Sequence, residues 1–210
     1  MKTLKIPEAT IMRLSVYSRY LTEVDRKGII TISSSDIAEG VGVSPAQVRK
    51  DLAYFGEFGI RGVGYNVKDL HKDILKILGL SSEWGVALVG IGNLGLALST
   101  YKGFKERGFI ITSIFDKDPQ KVGMVVDGIE VMSVDKIEEI VPKTKTQIGV
   151  ITVPGIFAQE VADKLVKCGV SAILNFAPVV LNVPPEVELR NVDLSVNLEV
   201  LTFNVGGRMA

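Results

Sequence analysis

The rhythm of apolar residues changes near the middle of the chain. Over residues 1–78 the apolar side chains recur at helical spacing. Ile11, Leu14, Tyr17 and Leu21 follow Pro7 at three- and four-residue intervals and predict a helix reaching about Val24. A short second helix is expected to start near Ser35, which can cap it, and to run through Glu39, with Gly40-Val41-Gly42-Val43 as the turn that follows. Ser44, Pro45 and Gln47 then stand at the N-cap, N1 and N3 positions of a third helix, SPAQVRKDLAYFGEF, where a serine and a glutamine can close a reciprocal capping box. From Trp84 onward the texture is different. WGVALV, FIITSIF, QIGVITV and SAILNF are nearly continuous Val- and Ile-rich runs, separated by helical stretches. Such runs are strands of a parallel sheet covered on both faces and joined by right-handed crossovers. The fold class is therefore α/β, with a helical domain at 1–80, a boundary near Gly79–Ser82, and a second domain over 81–192.

Helix, turn and capped helix in that order resemble a helix-turn-helix. On the third helix, Val48, Leu52 and Phe55 share one face at 100° per residue, and Lys50 lies opposite. Lys50 is flanked by Ala46, Gln47, Ala53 and Tyr54, with Arg49 at the edge. Small side chains, an amide and a central cation suit entry into a major groove about 12 Å wide, Arg49 being placed for a phosphate. Four glycines within nine residues follow, in GEFGIRGVG. With Ile60 and Tyr65 bracketing them they predict a tight hairpin, the wing of a winged helix, whose Arg61 would sit near the tip and reach a narrow minor groove. The alternative is that the three helices pack together and bind a protein.

The strand at Trp84–Val89 runs directly into Gly90-Ile91-Gly92-Asn93-Leu94-Gly95 and then into a helix expected to reach Arg107. GxGxxG between a strand and a helix is the dinucleotide fingerprint. The first glycine allows the turn, the second admits a pyrophosphate, and the third lets helix and strand pack closely. The phosphates would then meet free N–H groups at the positive end of the helix dipole. Asp116 ends the next strand, 21 residues after Gly95, where a carboxylate receives the adenosine ribose hydroxyls and repels a 2′-phosphate. Lys117 beside it weakens that discrimination, and a turn residue in DKDP is the other reading of Asp116. Val153-Pro154-Gly155 and Asn175-Phe176-Ala177-Pro178 follow later strands, at the carboxyl ends where an open sheet keeps its ligand crevice.

No catalytic set accompanies this site. His71 falls before the sheet, Cys168 reads as a buried small residue, and Tyr101 has no lysine four positions on. About 30 residues follow Pro178, too few for a separate substrate domain, which usually needs about 50. The chain is thus not read as an enzyme. A small NAD-dependent oxidoreductase with a helical dimerisation domain is the main alternative, and a CoA-binding domain using the same glycine loop is a second.

Composition sharpens this picture. Among 210 residues, 24 Lys and Arg balance 24 Asp and Glu. Residues 1–80 nevertheless carry 12 basic against 9 acidic side chains, which leaves the rest with 12 against 15 and makes the helical part the one suited to a polyanion. A single Cys precludes a disulfide within the chain, and a single His leaves no ordinary histidine metal site. No apolar run is long enough to span a membrane, and MKTLKIPEAT lacks an apolar signal core, so a cytoplasmic protein is expected.

SPAQVRKDLAYFGEFGIRGVGY, VGIGNLGLAL, FDKDPQKVG, VITVP, ILNFAP and NVDLSVNL together closely resemble the Rex family of redox-sensing transcriptional repressors, from about Ile6 to Leu201. The resemblance implies a homodimer that binds a palindromic operator when NADH is low relative to NAD+ and is released by NADH. It implies an N-terminal winged helix-turn-helix, a Rossmann-like parallel sheet, and a C-terminal helix within 193–210 that is swapped between subunits. On that likeness Ser44, Gln47, Arg49, Lys50, Tyr54, Arg61, Gly62 and Tyr65 match the DNA-contacting region. Gly90, Ile91, Gly92, Asn93, Leu94, Gly95, Tyr101, Asp116, Lys117, Val153, Pro154, Asn175, Phe176, Ala177 and Pro178 match the NAD(H) pocket. Arg19, Tyr101 and Asp193 match a redox-sensing set. Leu194 stands where some members carry an aromatic, which leaves closure of the nicotinamide pocket open. No metal is implied.

Overall fold

In the computed structural model, which describes residues 6–60 and 62–207, the chain divides into two units, Met1–Ser82 and Glu83–Ala210. The first unit is built from α1 (Glu8–Arg26), α2 (Ser34–Val41), α3 (Pro45–Ala53) and α4 (Val67–Ile77). Leu14, Tyr17 and Leu21 of α1 meet Ile37 of α2, Val48 and Leu52 of α3, and Leu70 and Ile74 of α4 in one buried core. A two-stranded antiparallel ribbon, β1 (Thr31–Ile32) with β2 (Tyr65–Asn66), completes the unit. Between α3 and β2 the glycine-rich segment turns on itself, and Ile60 and Gly64 exchange two backbone hydrogen bonds of 2.9 and 3.0 Å. This is the winged arrangement expected of the segment.

Three local expectations are corrected. Ser33, not Ser35, caps α2, and the reciprocal capping box lies there: the Ser33 hydroxyl accepts from the Asp36 N–H, and the Asp36 carboxylate accepts from the Ser33 N–H. At α3 the Ser44 hydroxyl does accept from the Gln47 N–H, but the Gln47 side chain turns away to Asp51. A carboxylate is the stronger acceptor, so the amide goes there rather than back to the cap. The helix also stops at Ala53, where the Phe55 N–H closes a tighter three-residue turn onto Leu52 ahead of Gly56.

The second unit holds β3 (Trp84–Val89), β4 (Phe109–Asp116), β5 (Val125–Val126), β6 (Ile129–Ser133), β7 (Thr146–Ile151), β8 (Ala172–Asn175) and β9 (Glu188–Asn191), in the order β5-β6-β4-β3-β7-β8-β9. Every pair except β5 with β6 is parallel. Without the β5 edge, the order is that of a dinucleotide-binding sheet, and its topological switch point lies between β3 and β7. Side chains alternate across β3. Ala87 and Val89 face a core closed by α7 (Ile137–Ile140) and α8 (Gly155–Lys167), while Val86 and Leu88 face the other side.

That other side is covered less fully than continuous apolar strands suggest. Phe109, Ile111, Ile148, Leu174 and Phe176 are only half-buried. The helix expected to reach Arg107 breaks into α5 (Asn93–Ser99) and α6 (Lys102–Lys105). The Ser99 and Thr100 hydroxyls both bond back to the Leu96 carbonyl, and Tyr101 takes an extended conformation (φ −73°, ψ 106°) before α6. At the chain's end α9 (Leu194–Gly206) buries none of its residues, although Leu194, Leu198, Leu201, Phe203 and Val205 are all large and apolar.

Candidate functional site

Gly90 leaves β3 at φ 99°, a conformation favouring glycine, and its N–H bonds the Phe115 carbonyl at 2.7 Å. A Cβ at Gly95 would run into the Gly90 carbonyl oxygen, so the third glycine is required by the packing of α5 on the turn. Gly92 is different. Its φ is −75°, and a Cβ there would meet nothing within 4 Å. The space in front of it is therefore not needed by the protein's own atoms. It opens on a cavity of about 690 Å³ at the switch point, of a size suited to a small-molecule ligand. The first-turn N–H groups of Asn93, Leu94 and Gly95 have no carbonyl within α5 to bond, as at any helix start.

Asp116 lies under this turn and is 6% exposed. Its carboxylate accepts from the Ile91 N–H at 2.7 Å, the Asp118 N–H at 2.9 Å and the Lys121 ammonium at 3.4 Å. Burial pushes the Asp116 pKa up, but these donors outweigh it and hold the group below the ordinary carboxylate range. Three of about four acceptor positions are taken, so Asp116 braces the glycine turn and keeps one position for an outside hydroxyl. Lys117 lies 3.2 Å above the centre of the Phe157 ring, and Lys164 pairs with Glu160 at 2.9 Å. The cavity wall thus carries Lys117, Lys121 and Lys164 against Asp116, Asp118 and Glu160, so its formal charges balance.

Of the residues expected at this site, Gly90, Gly92, Asn93, Leu94, Asp116, Lys117, Val153 and Pro154 line the cavity together. Ile91 and Gly95 are buried behind it. Asn175 is wholly buried, its amide donating to the Ala177 and Val179 carbonyls and to Asn191 while its oxygen accepts from the Ala177 N–H. It locks the segment carrying Ala177 and exposed Pro178, and Phe176 is half-buried against the opposite sheet face. Tyr101 lines a second cavity of about 540 Å³ with Thr100, Phe104 and Phe109, standing edge-on to Phe104 at 5.3 Å. Arg19 lies exposed on α1, and Asp193 caps α9 by accepting from the Ser195 N–H and hydroxyl. They belong to different units. Among the described residues no group of three or more His, Cys, Asp or Glu is placed to hold a metal, and no helix is long and apolar enough to cross a membrane.

In the first unit α3 presents Ala46, Arg49, Lys50 and Ala53 to solvent. The Arg49 guanidinium donates to the Ser34 hydroxyl at 2.8 Å, tying α3 to the start of α2. Ser44 and Gly62 are exposed and Tyr54 is half-buried, whereas Tyr65 is buried, which pushes its phenol pKa up. Arg61 lies outside the described residues. Beneath α3 is a feature that the sequence reading missed. Asp51, 0% exposed, accepts from the Arg13 guanidinium at 2.6 and 2.7 Å, the Tyr17 hydroxyl at 2.8 Å, the Gln47 amide at 2.9 Å and the Thr10 hydroxyl at 3.0 Å. The signal is legible: on a helical wheel Asp51 falls about 40° from Phe55, at the edge of the Val48–Leu52–Phe55 stripe, and a charge at the edge of a buried stripe demands partners.

Comparison with known proteins gives the same division. The family model described as "CoA binding domain" matches residues 81–179, and that described as "Putative DNA-binding protein N-terminus" matches residues 5–53. The chain is 80% identical to the redox-sensing transcriptional repressor Rex of Desulfitobacterium hafniense over 210 residues, all of both chains. It is 63% identical to the Rex of Carboxydothermus hydrogenoformans, over 98% of this chain and 99% of that one. Among solved structures it resembles RSP, a Rex-family repressor. The complex of RSP with NAD+ and operator DNA matches at TM-score 0.93 and 39% identity, over 97% of this chain and 94% of that one. The complex with NADH matches at TM-score 0.87 and 37% identity, over 99% and 97%.

Proposed function

Because the chain belongs to the Rex family of redox-sensing transcriptional repressors, we propose that it holds operator DNA through α3 while NADH is scarce and releases it when NADH fills the crevice at Gly90–Gly95. One observation carries the reading. The same chain holds a glycine turn whose middle glycine faces unclaimed space, and a capped helix whose exposed face centres on Lys50. It is a regulator and not an enzyme. It works in the cytoplasm, where a bacterial chromosome lies.

Bound in the crevice, the dinucleotide supplies a ring that is cationic in NAD+ and neutral in NADH. Both forms share the ADP half, which Gly92, the α5 N–H groups and the remaining acceptor position of Asp116 would hold alike. A ligand shifts a conformational equilibrium only through unequal affinity for the two states. Discrimination therefore belongs to the ring end, where apolar surroundings disfavour the cation by desolvation. The segment fixed by Asn175 and the partner subunit's C-terminal helix would supply them, and the set of Arg19, Tyr101 and Asp193 would respond to the state of the ring. A homodimer completes this arrangement. Apolar residues cover two opposite sides of α9, with Ser195, Asn197, Glu199, Thr202 and Asn204 between them, and exchange between subunits over the half-covered sheet face would bury those sides. Two recognition helices would then address half-sites about 34–36 Å apart.

The test is operator binding at fixed total cofactor and varied NADH/NAD+ ratio. Binding is expected to fall steeply as NADH rises, and a flat response would refute the proposal. In the same assay Lys50→Ala is expected to weaken operator binding about tenfold to a hundredfold, as loss of a base contact does, with NADH affinity unchanged. The match to a CoA-binding domain favours a second reading, since CoA also carries an adenosine diphosphate. CoA displacing NADH at equal concentration would support it.

A further inference from the structure

We propose that Thr152 is a positioning residue of the crevice: its hydroxyl pins the peptide that opens the glycine turn, so that the N–H groups beyond it are aimed at a pyrophosphate. This inference rests on the dinucleotide reading given above and adds what holds the turn in shape. The peptide joins Gly90 to Ile91. It follows a positive φ at Gly90 and belongs to neither β3 nor α5. Its carbonyl and its N–H point in opposite directions, because a trans peptide is planar. Both are held. The Gly90 carbonyl accepts from the Thr152 hydroxyl at 2.6 Å, and the Ile91 N–H donates to Asp116 at 2.7 Å.

The clamp crosses three strands. Thr152 stands just past β7 and Asp116 ends β4, on either side of β3. The Thr152 N–H bonds the Val89 carbonyl at 2.9 Å, which fixes the backbone that carries the hydroxyl. That hydroxyl has one proton and two carbonyls within reach, Gly90 at 2.6 Å and Val89 at 3.1 Å, and the shorter contact takes it. A Cβ at Gly95 would strike both the Gly90 oxygen and Thr152 Oγ1, so the carbonyl is wedged between the threonine and the first turn of α5. Were the peptide turned over, its oxygen would face the Asp116 carboxylate, acceptor against acceptor. Thr152 lines the cavity beside Gly90 and Gly92, yet its proton is directed into the turn, and an ionised pyrophosphate offers the oxygen no donor. The threonine therefore acts through the turn and not on the ligand, as a supporting residue must if the binding N–H groups are to be held in place.

The experiment titrates the full-length protein with NADH, NAD+ and ADP, well below its melting temperature so that unfolding does not enter. Thr152→Ala and Thr152→Ser differ from each other by the hydroxyl alone. Thr152→Ala is expected to weaken all three ligands by the same factor, about threefold to tenfold, the range set by the net worth of one hydrogen bond, while Thr152→Ser stays within about twofold of wild type. Hydrogen exchange at the Ile91 amide should quicken in Thr152→Ala and not in Thr152→Ser, because loosening one end of a rigid peptide frees the other. Equal affinities in the two variants, a loss that spares ADP, an unchanged Ile91 amide, or a Thr152→Ala chain unfolded at the assay temperature would overturn the inference while leaving the dinucleotide reading intact. Failure of the wild-type chain to bind any of the three ligands would overturn both.

Discussion

Replacing Gly92 with alanine is expected to leave the fold standing and to make the protein deaf to NADH. The backbone there is at φ −75°, which alanine accepts, and a Cβ meets no protein atom within 4 Å. The methyl instead occupies the space in which a pyrophosphate must approach the α5 N–H groups. Lost charge-assisted hydrogen bonds are worth about 1.5–3 kcal/mol each, and overpacking adds about 1–3 kcal/mol. Together they predict a fall in NADH affinity of about a hundredfold to a thousandfold, since 1.4 kcal/mol is about a factor of ten. Operator binding without cofactor should be unchanged, and NADH at wild-type saturating concentrations should no longer release the DNA. Gly95→Ala is the contrasting variant. Its Cβ would collide with the Gly90 carbonyl, so it must displace α5 from β3 and lower the melting temperature as well as the affinity. Calorimetric NADH titration beside a thermal melt separates the two. Equal loss of stability in both variants would mean that the space before Gly92 is not the phosphate's.

Much of this site could be read from the sequence because it is written in backbone requirements. A glycine that must take a positive φ, and another that must admit a carbonyl, leave no freedom of residue type, so GxGxxG between strand and helix announces both position and purpose. The strands were equally legible, since Trp84–Val89 and Phe109–Asp116 are bounded by abrupt changes in polarity. What stayed hidden depends on partners far apart in the chain. That Asp116 braces the turn, and is not simply a free ribose acceptor, requires knowing that Ile91 and Asp118 point their N–H groups at it. Local spacing makes the Gln47 side chain part of a cap, but a carboxylate four residues on, anchored from α1, takes it instead. Short β9 carries too little pattern in Glu188–Asn191 to announce itself, and it forms by pairing with β8.

Asp51→Ala is expected to unfold the first unit selectively. The carboxylate satisfies a guanidinium, two buried hydroxyls and an amide, with Thr10 and Tyr17 each 1% exposed. The Arg13 guanidinium, 28% exposed, can turn to water, but removing the acceptor costs about 1–3 kcal/mol for each buried hydroxyl it strands. For a domain stabilised by about 5–15 kcal/mol that is a large share of the total. Hydrogen exchange in α1 and α3 should rise and operator binding should be lost, while the second unit still binds NADH. Operator affinity within twofold of wild type would refute this. The same network sets a pH window. Burial pushes the Asp51 carboxyl up, but the donors from Arg13, Tyr17, Gln47 and Thr10 outweigh it and keep its pKa below the unfolded value of about 3.9. Its contribution is therefore present above about pH 4 and is lost as the pH falls through the depressed folded pKa. Burial and the Asp51 hydrogen bond raise the Tyr17 pKa instead, so its contribution is full below about pH 10 and declines as the pH rises further. Denaturant melts of the first unit followed against pH should show both limbs. In Tyr17→Phe the alkaline fall should shrink, and the acid limb should remain, because Arg13 still holds the carboxylate.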